Sequence, residues 1–132
     1  MRFTEHELTA ALTGTAKGVL GRQRKDVRRG RVDIDTVWDG LDRYQRFQLL
    51  DRLGSEILPV LVALPDVEVR PGDRATYTDS EVRETVESLL DESTGRLRRA
   101  VIVTSRVALV QEALGHLPPR SDPDTLTVPD HL

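Results

Sequence analysis

The sequence predicts a mainly α-helical fold, a compact bundle of four or five helices, with a short β-hairpin near residues 67–78 as a candidate extra element. Four segments place apolar residues three and four positions apart, as one face of a helix requires. Two of these segments begin with a capping box, in which a threonine and a glutamate satisfy each other's backbone amides. The chain has 132 residues, the usual size of a single domain with one core.

The first helix is predicted to begin at the capping box formed by Thr4 and Glu7. It ends either near Leu20 or near Arg29, where Gly30 would supply the positive φ that helix ends favour. Its glycines would let another helix approach closely. Its apolar stripe follows the spacing of three and four: Leu8, Ala11, Leu12, Thr15, Ala16 and Val19.

The second helix is predicted over about residues 36–58, capped by Asp33 or Asp35, as the strongest core element of the chain. Pro59 should end or kink it, because proline has no amide hydrogen and clashes with the preceding turn. The predicted buried side comprises Val37, Trp38, Leu41, Tyr44, Phe47, Leu50, Leu53 and Ile57.

Residues 67–78 alternate apolar and polar around Pro71-Gly72, a pair suited to the centre of a type II turn. Either a short hairpin or an extended loop fits this pattern. The second capping box, Thr78 with Glu81, then starts a short helix that should run to about Asp91. Val82, Val86, Leu89 and Leu90 form its apolar side.

Residues 96–117 carry a narrow helical seam that serves either as core or partly as an oligomer interface. The β-branched run 100–104 also fits a buried strand, but a helix is favoured because the periodicity continues beyond it. Four prolines after residue 117 predict an irregular tail over 118–132 and a single domain over 1–117. The seam residues are Ala100, Val103, Val107, Val110, Leu114 and Leu117.

Composition excludes several kinds of chemistry. The chain has no cysteine, which rules out disulfides and thiolate metal sites and favours a reducing, cytoplasmic location. No apolar run reaches the roughly 18 residues that a membrane span needs. No nucleophile elbow, phosphate-binding loop or histidine pair with metal-ligand spacing occurs. We therefore predict no catalytic residue, cofactor or metal.

Basic residues concentrate in the segment 22–31 of a chain whose net charge is −3. Such a segment neutralises nucleic-acid phosphates, or it forms a solvated linker that pairs with the protein's own acidic helix at 79–92. We favour internal pairing because the chain as a whole is acidic. The candidate phosphate-binding residues are Arg22, Arg24, Lys25, Arg28, Arg29 and Arg31.

Paired carboxylates give a third hypothesis. Asp39 with Asp42, and Glu84 with Glu87, each place two acids on neighbouring helical turns, and two such pairs facing each other would form an oxygen-rich Mg²⁺ site of a hydrolase. Because this spacing is common on solvated helices, we rank a metal-dependent hydrolase third.

These observations favour a non-catalytic helical protein–protein interaction module that forms homo-oligomers and also presents faces to another protein. A nucleic-acid-binding regulator that uses residues 22–31 is the alternative. The tail is either disordered or a peptide that docks on a partner through Leu126, Val128 and Leu132.

Overall fold

The computed structural model describes residues 1–120, which form six α-helices and, within that range, no β-strand. The predicted mainly helical class is confirmed, with more helices than the four or five expected. The helices are α1 (Glu5–Gln23), α2 (Lys25–Arg28), α3 (Ile34–Gly40), α4 (Arg43–Ala63), α5 (Asp79–Ser88) and α6 (Arg96–Gly115).

Helix α1 begins at the predicted capping box. The Glu7 amide donates to the Thr4 hydroxyl at 3.1 Å, and the Thr4 amide donates to the Glu7 carboxylate at 2.9 Å. The helix ends at Gln23 because Arg24 has extended backbone angles, and the short α2 follows. Gly30 then adopts a φ of +72°, as predicted for the residue after a helix end.

The prediction of one helix over 36–58 is wrong, because the helix is interrupted at Leu41 and Asp42, between α3 and α4. Asp42 starts α4 with its own capping box, accepting a hydrogen bond from the Gln45 amide at 2.7 Å while its amide donates to the Gln45 side chain. Pro59 does not end α4, which continues to Ala63. Burial of Val60 and Leu61 offsets the hydrogen bond that proline cannot make.

The break also changes which side chains are buried. Val37, Trp38, Leu53 and Ile57 lie in the core as predicted, and Leu41 and Leu50 are half-buried. Tyr44 and Phe47 are 65% and 61% exposed, contrary to the prediction. Because α4 starts afresh at Asp42, its first two turns do not continue the buried face of α3.

The predicted hairpin does not form, and residues 67–78 run as an extended chain with a turn at Pro71-Gly72. Gly72 has a φ of +89°, which a type II turn requires. One backbone partner of this turn is distant, since the Gly72 amide donates to the Arg120 carbonyl at 2.8 Å and the Arg120 amide donates to the Asp73 carbonyl at 2.7 Å. The Asp73 amide also donates to the Arg70 carbonyl at 3.0 Å, so the turn is bonded both within itself and to the segment after α6.

Helices α1, α4, α5 and α6 surround the core. The helical interpretation of residues 100–104 is confirmed, although Ala100 is exposed, and α5 ends earlier than predicted, at Ser88. Gly14 allows the close approach of α6, because a Cβ there would overlap the His116 ring. Residues buried where these helices meet include Ala11, Ala16, Ile57, Leu61, Val82, Val86, Val110 and Leu114.

Candidate functional site

An apolar groove of about 600 Å³ runs along the outside of α4, beside α1. Residues spaced four apart on α4 form its length, namely Leu50, Gly54, Leu58 and Val62, and Leu12 of α1 lies at its side. We call this the α4 groove. Its complete lining is Leu12, Leu50, Asp51, Gly54, Ser55, Leu58, Pro59, Val62 and Ala63.

The shape of the α4 groove depends on two residues that are unusual inside a helix. Gly54 has no side chain, and a Cβ at this position would already lie 3.6 Å from Leu58 Cδ1 and 3.8 Å from Leu12 Cδ1. A larger side chain would therefore extend into the groove. Pro59 has no amide hydrogen to donate to the Ser55 carbonyl, and it lies in the lining of the groove.

The apolar surface continues beyond the α4 groove toward the start of the helix. Phe47 and Leu50 line an adjoining cavity of about 380 Å³ together with Arg43 and Arg46. From Phe47 to Val62 the helix rises about 22 Å. Phe47 and Val62 are 61% and 63% exposed, so large apolar side chains meet solvent at both ends of this surface.

The chemistry of the α4 groove suits burial of apolar groups. Asp51 is the one ionisable residue among the described residues that line it, and it is exposed. The Ser55 hydroxyl donates to the Arg52 carbonyl at 2.8 Å. The lining thus holds no pair of side chains arranged as nucleophile and base.

The basic segment 22–31 divides into paired and unpaired residues. Arg22 binds Glu112 of α6 with both guanidinium nitrogens, at 2.9 and 3.3 Å, and Arg24 binds Asp26 at 2.9 Å. The remaining bases are exposed and form no ion pair within residues 1–120: Lys25, Arg28, Arg29 and Arg31.

The expected pairing of this segment with the acidic helix is wrong for the part of the chain that the structure describes, since no ion pair there joins 22–31 to 79–92. Helices α1 and α5 each pack against α6, and Arg22 reaches the α6 carboxylate instead. The sequence alone does not mark Glu112 as an ion-pair partner, because a lone acid near the end of an amphipathic helix forms no distinctive motif.

The proposed carboxylate site is not assembled. Asp39 and Asp42 lie at the junction of α3 and α4, whereas Glu84 and Glu87 lie on α5. Within residues 1–120, no three histidine, aspartate or glutamate side chains are grouped so that they could hold a metal ion. The two carboxylate pairs therefore do not face each other as the hydrolase hypothesis requires.

Glu7 forms a buried ion pair that the sequence did not reveal. It is 6% exposed, and its carboxylate accepts a 2.8 Å hydrogen bond from Arg120, 113 residues away. Burial alone would raise the pKa of Glu7, but hydrogen bonds from Arg120 and from the Thr4 amide, with the Arg120 charge, hold it below its ordinary value. Arg120 also donates to the Arg2 carbonyl, so this pair joins the segment after α6 to the start of α1.

Helix α6 presents a second apolar surface on the side away from its seam. The seam residues Val103, Val107, Val110, Leu114 and Leu117 are buried, so of the two alternatives for the seam these five residues belong to the core. Leu97 and Val101, one turn apart, are 83% and 69% exposed. We call these two residues the α6 ridge.

The candidate docking residues Leu126, Val128 and Leu132 lie outside the described residues. No helix within residues 1–120 combines the length and apolar character needed to cross a membrane. No protein-family model matches the sequence, and no curated protein or solved structure matches it significantly. Within residues 1–120, the exposed apolar surface of α4 is the main candidate binding surface.

Proposed function

We propose that this chain is a non-catalytic protein–protein interaction module that self-associates through the α4 groove. The observation that carries the proposal is a continuous apolar surface on α4, from Phe47 through Leu58 to Val62, on a helix whose other side builds the core. Contiguous exposed apolar surface of this kind commonly marks a binding site. The absence of cysteine favours a cytoplasmic location for this module.

Association would bury side chains that are exposed to water in the isolated chain. Full burial of one side chain such as Phe or Val contributes about 1.5 to 3 kcal/mol, and Phe47 and Val62 are each more than half exposed. Ordering costs of association consume part of this gain. We therefore expect weak, reversible self-association.

Light scattering coupled to size-exclusion chromatography tests this proposal, with protein loaded from about 10 to 500 µM because small interfaces give weak association. The molar mass of the parent chain should rise with concentration, and Val62→Glu should hold it at the monomer value. Gln48→Glu is the matched control, since it adds the same charge to an exposed position on another side of α4. A concentration-independent monomer, or equal association of both variants, would overturn the proposal.

A nucleic-acid-binding regulator is the second candidate, and one observation favours it. Lys25, Arg28, Arg29 and Arg31 are exposed, and none has a carboxylate partner within residues 1–120. Bases that are free of internal pairs can neutralise phosphates and release counterions. The acidity of the whole chain places this function behind self-association.

Fluorescence anisotropy with labelled DNA and RNA tests the second candidate. Replacing Lys25, Arg28 and Arg29 by glutamine should abolish binding that weakens steeply with salt. Arg22 is left unchanged because its ion pair with Glu112 is part of the fold. A triple variant with glutamine at Arg52, Arg70 and Arg83, which are exposed arginines outside the segment, loses the same three charges and controls for net charge. Absence of salt-dependent binding by the parent chain would exclude this function.

A further inference from the structure

We infer that the partner of the α4 groove is the α6 ridge of a second copy of this chain. The inference rests on the proposed self-association and names the two surfaces that meet. One molecule carries both a concave apolar surface and a separate convex one, and neither is covered by residues 1–120. Contact between different surfaces of identical chains is heterologous.

The spacing of the two surfaces is compatible. Leu97 and Val101 are four residues apart on α6, and Leu50, Gly54, Leu58 and Val62 follow the same interval along α4. Rows of side chains at this interval form the ridges and grooves by which helices pack. Gly54 carries no side chain in the middle of the row, so a facing helix can approach α4 closely there.

Charge complementarity favours a second copy as the occupant. Arg96 and Arg98 flank the α6 ridge, are exposed, and form no ion pair within residues 1–120. They lie in the first turn of α6, where the helix dipole disfavours positive charge. The α4 groove carries an exposed carboxylate, Asp51, in its lining, and Asp51 forms no ion pair within residues 1–120. The Asp51 carboxylate of one copy thus faces the arginines of the other.

Charged groups also restrict where the α6 ridge can dock along the α4 groove. Arg43 and Arg46 lie at the start of α4, beside Phe47, and would repel the arginines of the α6 ridge. The N-terminal ammonium lies at the other end of the groove, where it donates to the Val62 carbonyl at 2.9 Å and pairs with Asp66 at 3.5 Å. Docking therefore places Arg96 and Arg98 between the two ends of the groove, beside Asp51.

Heterologous docking leaves one free groove at one end and one free ridge at the other end of any open chain of molecules. Such contacts generate rings when the rotation closes and open filaments when it does not. Contact of α4 with α4 would instead give a symmetric dimer and leave the α6 ridge exposed. This difference makes the two arrangements separable by experiment.

A mixing experiment with two variants tests the inference by sedimentation velocity. Val62→Glu places a charge in the α4 groove, and Leu97→Glu places a charge on the α6 ridge. Each variant therefore loses one of the two contact surfaces. Each variant alone should self-associate at least about tenfold more weakly than the parent chain, as expected for a central contact residue. An equimolar mixture should form a 1:1 dimer and stop there, because the ridge of one variant and the groove of the other remain intact.

Circular dichroism is measured first, and both variants should keep the helical content of the parent chain because both positions are exposed. Phe47→Glu and Val101→Glu replace either variant that does not. If Leu97→Glu associates like the parent chain, or if the mixture forms no dimer, the α6 ridge is not the partner and this inference fails while self-association stands. A parent chain that stays monomeric refutes self-association itself.

Discussion

At the residue scale, the pair formed by Glu7 and Arg120 has the clearest consequence for stability. The pKa of Glu7 is below its ordinary value in the folded chain, so the unfolded state binds a proton more readily. The stabilisation is therefore complete above the unfolded pKa of about 4.3 and is lost as the pH falls through the folded value.

Glu7→Gln should lower the free energy of unfolding at pH 7 by about 1 to 3 kcal/mol, the range for hydrogen bonds to charged groups. The difference from the parent chain should shrink as the pH falls from about 4.3 through the lowered pKa of Glu7, because the parent carboxyl then becomes neutral like the glutamine amide. Urea denaturation at several pH values measures this. Glu5→Gln, at an exposed position in the same turn of α1, should change little, and a pH-independent difference at Glu7 would contradict the assignment.

The helical glycines give a second comparison at this scale. Gly14→Ala should destabilise the fold, because the new Cβ would overlap the Cβ and ring of His116. Gly115 has no atom within 4 Å of an added Cβ, so Gly115→Ala should be neutral or stabilise the fold by up to about 1 kcal/mol through helix propensity. Melting temperatures of the two variants test this contrast; equal shifts of the same sign would show that α1 and α6 are farther apart.

At the element scale, helix starts follow from local sequence, and buried faces do not. The capping boxes at Thr4 and Thr78 are visible in four consecutive residues and form as predicted. Asp42 and Gln45 carry the same kind of pattern, which the longer periodicity of 36–58 obscured. The exposure of Phe47 depends on where α4 lies relative to α1 and α6, so no pattern within the helix determines it.

The separate start of α4 is tested by Asp42→Ala, which should cost about 1 kcal/mol because the Gln45 amide loses its acceptor. Asp39→Ala is the control, since Asp39 lies near the end of α3 and is exposed. Chemical denaturation gives both values. If Asp39→Ala lowers the free energy of unfolding more than Asp42→Ala does, one continuous helix runs through both positions and begins at another residue.

At the scale of the whole molecule, the features that sequence reasoning missed all join distant residues. Arg22 and Glu112 are 90 residues apart, and Glu7 and Arg120 are 113 apart. The α4 groove likewise needs Leu12 of α1 beside Gly54 of α4. Periodicity and capping describe neighbours along the chain, so they predict helices well and predict neither these pairs nor the groove.

The most direct measurement for the whole molecule is a methyl NMR dilution series, which reports both whether copies associate and where they touch. We expect the methyl signals of Leu50, Leu58 and Val62 to shift as the protein is diluted. Those of Val82 and Val86, which are buried in α5, should stay fixed. Spectra that do not change with concentration, or shifts confined to residues away from α4, would contradict self-association through the α4 groove.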